Sequence, residues 1–182
     1  MDWMQRAREG FAALEVSEAV KSRALANLEL WLGEAAFADY APQIRHLIET
    51  RRWDLLLDSF YQVIPFGTGG RRGPVGIGPN RINPWTIQAS AQGHSQYLLR
   101  HHGDEARRRG VVMAFDVRRF EETGIYAADR PNPVRGLDGL ALARAAAEVY
   151  AANGIRVLLF DSPRSTPELS FAIRHLGAVA GD

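Results

Sequence analysis

The sequence predicts an α/β protein: a three-layer α/β/α domain built on a mixed sheet and preceded by a helical N-terminal extension. Apolar runs at 111–115, 155–160 and 178–180 indicate buried strands. Helical segments alternate with these strands, an order that places helices on the faces of a sheet. Before residue 61, by contrast, glycine and proline are scarce and helical periodicity dominates. We therefore expect a helical extension at 1–60 and an α/β domain at 61–182.

The extension is predicted to consist of helices. Ser17 can cap a helix that Gly33 ends. One face of that helix is apolar, with Val20, Ala24, Leu28 and Trp31. Further helices are predicted around 44–48 and over 53–60, and this part shows no pattern of catalytic residues.

Three helices are predicted in the α/β domain, each with a recognisable start. Asn83 and Pro84 open the first, Asp138 caps the alanine-rich second, and the run Ser165–Glu168 opens the third. The inner face of the third helix is predicted to carry Leu169, Ile173 and Leu176. Between the first two strands, 116–136 forms a long loop with several glycines and prolines.

Composition excludes several classes of function. The 182 residues contain no cysteine, so disulfides, thiolate metal sites and a cysteine nucleophile are excluded. With a net charge of +1 and arginines 107–109 interpreted as a solvated helix end, we expect no nucleic-acid partner. No segment approaches the roughly 20 apolar residues that span a bilayer, and the N-terminus lacks a secretory apolar core. We therefore expect no membrane partner and a cytoplasmic location.

The glycine-rich segment 66–78 is the most informative part of the sequence. Its glycines allow a ligand to approach the main chain, and successive amides can form an anion-binding nest. Amides together with an arginine fork suit a phosphate monoester. The candidate phosphate-binding residues are Thr68, Gly69, Gly70 and Arg72. The alternative is that the glycines only form a tight turn or the end of a hairpin.

Common nucleotide-binding motifs do not fit this segment. A Walker A motif requires a lysine, and Lys21 is the only lysine in the sequence. The Rossmann fingerprint must follow a strand and open a helix directly, and this segment does neither.

Four motifs in order closely resemble the N-terminal domain of the α-D-phosphohexomutase superfamily. They are F-G-T-G-G-R-R-G at 66–73 with G-I-G-P-N-R-I-N at 76–83, the strand ending in D-V-R at 111–118, the helix and strand at 147–155, and the T-P segment at 160–176. The resemblance is greatest to the branch of bacterial phosphoglucomutases and related phosphopentomutases. It implies the incomplete first α/β/α domain of such an enzyme.

The resemblance also implies an activity. Family members move a phosphoryl group between positions 1 and 6 of a hexose, or 1 and 5 of a pentose. They use a phosphoserine, a sugar bisphosphate of the glucose 1,6-bisphosphate type and Mg²⁺. A sugar phosphate is therefore the expected small-molecule partner.

Particular residues receive roles from the resemblance. The loop arginine that neutralises the transferring phosphate corresponds to Arg72, and Arg71 receives no catalytic role. Asp116 and Arg118 match the family's D-x-R pair. That pair either supports the active-site loops by ion pairing or acts directly.

The sequence departs from the family pattern in two places. Residues 119–136 form an insertion, which either contacts a substrate or partner or is neutral. Relatives continue from the equivalent of 176–181 into T-A-S-H-N-P, which carries the nucleophilic serine, and later into a metal-binding D-x-D-x-D motif. This sequence ends at Asp182, so we expect neither the nucleophile nor the metal ligands in it, no turnover by this fragment alone, and further mutase domains beyond residue 182.

Two alternatives to a mutase fragment are compatible with a glycine-rich loop in an α/β protein. One is a non-catalytic phosphosugar-binding or regulatory module that kept the loop and lost the nucleophile. The other is an unrelated α/β domain with a fortuitous glycine loop, which the four ordered motifs disfavour.

Overall fold

The computed structural model describes residues 2–67, 70–121 and 124–182, and the chain forms two compact units. The helical unit consists of Met1–Asn83 with Phe120–Gly136, and the sheet unit of Pro84–Arg119 with Leu137–Asp182. By contact, the glycine-rich segment and most of the predicted insertion thus belong with the N-terminal helices. The predicted domain division at residue 60 stays a prediction.

Among its described residues, the helical unit contains four α-helices: α1 (Trp3–Ala12), α2 (Glu18–Gly33), α3 (Ala41–Glu49) and α4 (Trp53–Phe60). A 3₁₀ turn (Ala35–Phe37) joins α2 to α3. The helices predicted after Ser17, around 44–48 and over 53–60 are all confirmed, whereas α1 was not predicted separately. A short hairpin follows them, with strands β1 (Phe66–Gly67) and β2 (Gly70–Arg71).

An aromatic cluster around Trp31 forms the core of the helical unit. The Trp31 ring stacks on Phe37 with 4.4 Å between centroids. Tyr40 and Phe60 meet it edge-on at 5.0 and 5.6 Å. Such arrangements add to the free energy gained from burial alone. The apolar face predicted for α2 therefore lies at the centre of this unit.

The sheet unit alternates helices and strands as predicted. Its elements are α5 (Pro84–His102), α6 (Asp104–Arg109), β3 (Val111–Met113), α7 (Gly139–Ala152), β4 (Val157–Leu159), α8 (Thr166–His175) and β5 (Ala180–Gly181). The strand order is β4-β3-β5. Both pairings are parallel, so among the described residues this sheet contains no antiparallel strand. The α/β class is confirmed.

Helices cover both faces of this sheet. On one face Val111 and Met113 pack with residues of α5 and α7, including Leu98 and Tyr150. On the other face Val112 packs with residues of α8. Since successive strand residues point to opposite faces, β3 contributes to both cores. The result is the α/β/α layering that the sequence predicts.

The strand bounds and one side chain of the sheet unit differ from the prediction. The first strand ends at Met113 rather than at residue 115, the second is confined to Val157–Leu159 within 155–160, and the third is Ala180–Gly181 rather than 178–180, because the ladder pairing of neighbouring strands is limited to these residues. Leu176 was wrongly placed on the inner face of α8 and is 53% exposed. It is the C-cap residue, beyond the last helical turn, and Ala172 is the buried residue of that helix.

Among the residues that the structure describes, no helix combines the length and the apolar character that crossing a membrane requires.

Candidate functional site

The residues predicted to act on a phosphate lie in two places. The glycine-rich segment belongs to the helical unit, and the D-x-R pair belongs to the sheet unit.

The start of the glycine-rich segment is a hairpin. Its strands pair antiparallel, with Phe66 opposite Arg71 and Gly67 opposite Gly70. Two of the candidate phosphate-binding residues, Thr68 and Gly69, lie outside the described residues. Another candidate, Gly70, lies in strand β2. The hairpin that the sequence analysis left open as an alternative is therefore present.

The two arginines that follow differ in their surroundings. Arg71 is half-buried in β2, and burial lowers the pKa of its guanidinium group. Arg72 comes directly after β2 and is exposed. None of the described residues pairs with the Arg72 guanidinium group. Arg72 is thus the loop arginine that is accessible to an anion.

The remainder of the segment is firmly fixed. The Asn83 side-chain amide donates to the carbonyls of Gly76 and Gly78, both at 2.9 Å. Gly78 has φ +120, and a Cβ there would lie 2.6 Å from the Ser59 carbonyl oxygen. Arg81 is buried and forms an ion pair with Asp58. The segment thus joins the hairpin, directly after which Arg72 is exposed, to a constrained turn at 76–83.

A cleft opens at the carboxyl end of the sheet. Because β3, β4 and β5 run parallel, the residues that follow them meet at one edge. The cleft has a volume of about 370 Å³. Its polar lining residues are Ser90, Asp116, Arg118, Arg164, Thr166 and Asp182. In open α/β sheets this edge is where ligands bind.

Asp116 and Arg118 form a local ion pair at this edge. The Arg118 amide donates to Asp116 Oδ1 at 3.0 Å, and its guanidinium group donates to Oδ2. The side-chain bond from Arg118 holds the pKa of Asp116 below its usual value, and the carboxylate in turn raises the pKa of Arg118. The structure thus brings the two predicted residues together, and their supporting role stays a prediction.

Arg164 also lines the cleft, and the sequence analysis gave it no role. Its amide donates to the Phe115 carbonyl at 3.0 Å, which fixes the chain after β4 to the chain after β3. Its guanidinium group lies 5.4 Å from the centre of the Phe160 ring. The sequence signal that could have identified Arg164 is its position between the end of a predicted strand and the Ser165–Glu168 cap. Helix capping does not account for an arginine at that position.

Asp182 is another cleft residue that the sequence analysis missed. Its amide donates to the Val112 carbonyl and its carbonyl accepts from the Ala114 amide, both at 2.9 Å, so the residue continues the pairing of β5 with β3. Its carboxylate accepts a hydrogen bond from the Tyr150 hydroxyl at 2.8 Å. No local sequence signal joins these residues, which lie on separate elements.

A chain of hydrogen bonds extends from the exposed Asp182 through Tyr150 to α5. Tyr150 is fully buried, and burial together with the Asp182 charge raises its pKa. Its hydroxyl oxygen lies 2.7 Å from His94 Nδ1. Because the hydroxyl proton is donated to Asp182, the ring nitrogen is the donor in this contact. His94 is half-buried, and its Nδ1 is satisfied by this hydrogen bond to Tyr150.

No group of three or more histidine, aspartate or glutamate side chains in the described ranges could hold a metal ion.

Comparison with protein families gives one match. Residues 137–181 match the family described as phosphoglucomutase/phosphomannomutase, alpha/beta/alpha domain I. The matched range begins just before α7 and includes β4, α8 and β5.

Characterised proteins give longer matches. The chain is 36% identical over 138 residues to a phosphoglucomutase of Staphylococcus saprophyticus, which covers 76% of this chain and 21% of that protein. It is 32% identical over 138 residues to a phosphopentomutase of Mus musculus, covering 76% and 20% respectively. A phosphoglucomutase of Staphylococcus aureus is 30% identical over 153 residues, or 84% of this chain and 23% of that protein.

The chain therefore spans about a fifth of the length of these relatives. No solved structure gives a significant match.

Proposed function

Because this chain belongs to the phosphoglucomutase/phosphomannomutase superfamily and has its N-terminal α/β/α domain, we propose that it forms the first part of a phosphosugar mutase. The reaction is phosphoryl transfer between two hydroxyl positions of a hexose or pentose phosphate. It passes through a phosphoserine and a sugar bisphosphate. Relatives named phosphoglucomutase and phosphopentomutase support this reaction class.

The cleft at the carboxyl ends of β3, β4 and β5 is the observation that carries the proposal. It combines two arginines with hydroxyl and carboxylate groups in one opening of about 370 Å³. Arginine forks bind phosphate oxygens through paired hydrogen bonds. The opening is of the size found for small-molecule sites in proteins, roughly 300–1,000 Å³.

Arg72 is the residue to which we assign charge neutralisation. Phosphoryl transfer depends on positioning and on stabilising charge at the phosphoryl oxygens more than on covalent chemistry by the protein. An exposed guanidinium group that none of the described residues occupies is suited to that task. Arg71 is partly buried in a strand and receives no such role.

Asp116 is assigned a supporting role. Its carboxylate accepts both the amide and the guanidinium hydrogen bonds of Arg118, and this fixes the turn that follows β3. The turn forms part of the cleft lining. Asp116 and Arg118 therefore shape the site without contacting the reacting atoms in this account.

Mg²⁺ would supply further charge neutralisation in a complete enzyme. Since the described part of the chain offers no group of three acidic or histidine ligands, we assign no Mg²⁺ ligand to these residues.

An assay of the complete protein that the gene encodes tests this function. The purified protein, with Mg²⁺ and catalytic glucose 1,6-bisphosphate, is expected to interconvert glucose 1-phosphate and glucose 6-phosphate, or the corresponding ribose phosphates. Residues 1–182 alone are expected to show no turnover. A complete protein that binds these sugar phosphates but converts neither pair would refute the proposal in favour of a non-catalytic binding module.

A further inference from the structure

The segment 125–136, here called the brace, packs into the helical unit and is not merely a surface loop. The side chains of Tyr126, Ala127 and Val134 are buried. Asn132 Oδ1 accepts from the Val134 amide at 3.1 Å, which closes a local turn. The brace therefore has its own internal structure as well as a buried face.

A single glutamine on α3 fastens the brace. Gln43 is fully buried, and its side-chain oxygen accepts from the Ala127 amide at 2.9 Å. Its side-chain nitrogen donates to the carbonyls of Ala127, Arg130 and Pro131 at 3.0, 3.2 and 2.9 Å. Both ends of this amide are thus satisfied by backbone groups of the brace. Buried polar groups need such partners, and losing them is costly.

An ion pair adds a second attachment to the same helix. Arg130 Nη2 lies 2.7 Å from Glu49 Oε2. Both side chains are about one third exposed, so water screens the pair only in part. Within the brace, Arg135 donates to the Ala127 carbonyl at 3.1 Å. Opposite charges therefore reinforce the attachment that Gln43 makes.

The other side of the brace contacts the glycine-rich segment through Tyr126. The Ile77 amide donates to the Tyr126 hydroxyl oxygen at 2.9 Å, in a buried position. A Cβ at Gly76 would lie 2.8 Å from the same oxygen, so glycine permits this approach. Burial raises the pKa of Tyr126, and the phenol therefore stays protonated at neutral pH. Tyr126 thus joins α3, by way of the brace, to the constrained turn at 76–83.

We propose that the brace is a positioning device for Arg72. Tyr126 restrains the backbone of Gly76 and Ile77, and this restraint limits the movement of Arg72 and of the hairpin that precedes it. The inference rests on the proposed role of Arg72 in phosphoryl transfer. Tyr126 itself is a positioning residue that touches no reacting atom. It acts only through the backbone of Gly76 and Ile77, four to five residues after Arg72.

The first test measures the restraint directly. In Tyr126→Phe the ring remains and the acceptor for the Ile77 amide is lost. We expect amide hydrogen exchange at Ile77 to accelerate roughly fivefold or more, since a buried hydrogen bond is removed. Exchange at Ile44 in α3 should stay within about twofold, which shows that the helical unit remains folded. Tyr61→Phe, in the same unit, is the matched control and should leave Ile77 unchanged.

The second test measures the consequence in the complete protein. Tyr126→Phe should lower kcat for glucose 1-phosphate roughly three- to tenfold with KM within about twofold, because misplacing a charge contact affects the transition state most. Tyr61→Phe should retain the wild-type kcat.

A second variant tests the same contact from the side of the glycine-rich segment. Gly76→Ala forces a methyl group against the Tyr126 hydroxyl, so it should reduce kcat more in the wild-type background than in Tyr126→Phe.

Two results would overturn the inference: unchanged Ile77 exchange in Tyr126→Phe, or faster exchange with kcat equal to that of Tyr61→Phe. A wild-type protein without mutase turnover would instead refute the proposed function, while the exchange result would still decide whether the brace restrains the turn.

Discussion

Asp116 and Arg118 are separated by one residue and lie outside any helix or strand. Their contact depends on the turn after β3, in which the Arg118 amide and guanidinium group both reach the same carboxylate. Arg118 is 88% exposed, so the pair contributes little to the free energy of unfolding. Its effect is on the pKa of Asp116 and on the shape of the turn.

Replacing Arg118 tests that effect. In Arg118→Met the pKa of Asp116 should rise toward the usual aspartate value, because the guanidinium bond that lowers it most is lost. The rise should be partial, since the backbone bond to residue 118 can persist. Carboxyl titration by NMR measures it, and Arg119→Met, whose guanidinium group faces Asp138 at 3.8 Å, is the control.

The sign of the pH effect follows from the direction of the shift. A carboxylate with a lowered folded pKa stabilises the fold above the pKa of the unfolded chain, and this contribution is lost as the pH falls through the folded value. The small stability difference between wild type and Arg118→Met should therefore vanish in acid. A difference that grows as the pH falls would contradict the assignment.

Individual residues show where sequence reasoning succeeds and where it stops. The pairing of Asp116 with Arg118 follows from proximity in the chain. Gln43 bonds to residues more than 80 positions away, and no local pattern predicts those partners. Tyr150 and Asp182 meet only because α7 and β5 pack in the same unit.

At the scale of elements, two of the predicted caps, Asp138 and Ser17, behave differently. Asp138 accepts from the Ala141 amide at 2.8 Å and satisfies one of the free donors at the start of α7. Ser17 precedes α2 without a side-chain cap bond. The two positions therefore form a natural comparison.

Alanine substitution at the two caps should separate them. Asp138→Ala should lower the free energy of unfolding by about 1 kcal/mol. Ser17→Ala should change it by less than about 0.5 kcal/mol, since no cap bond is lost. Denaturant unfolding followed by circular dichroism measures both, and equal losses would show that the Asp138 bond contributes nothing particular.

Helix starts were predicted more accurately than the ends of elements. Asp138 and Ser165 have side chains that favour the N-cap position, and they correctly predict that helices begin at Gly139 and Thr166. The error at Leu176 arose because apolar spacing continues one residue past the last turn of α8. Strand ends are set by where neighbouring strands stop pairing, which a single segment does not reveal.

At the scale of the whole molecule, the alternation of helices and strands was sufficient to predict the α/β class. The unit to which the long loop at 116–136 belongs could not be predicted in the same way. Most of it joins the helical unit through Gln43, although it separates two elements of the sheet unit in sequence. Long-range side-chain bonds decide that placement, and glycine and proline content only indicate that the segment is irregular.

The central claim is that Arg72 supplies a charge contact for phosphoryl transfer in a phosphosugar mutase. The most direct measurement compares kcat of Arg72→Ala and Arg71→Ala in the complete protein, with glucose 1-phosphate as substrate. Removing one preorganised charge contact costs roughly 3–4 kcal/mol, so Arg72→Ala should lose about 100- to 1,000-fold in kcat while Arg71→Ala loses far less. Equal losses in the two variants, or a full rate in Arg72→Ala, would contradict the claim.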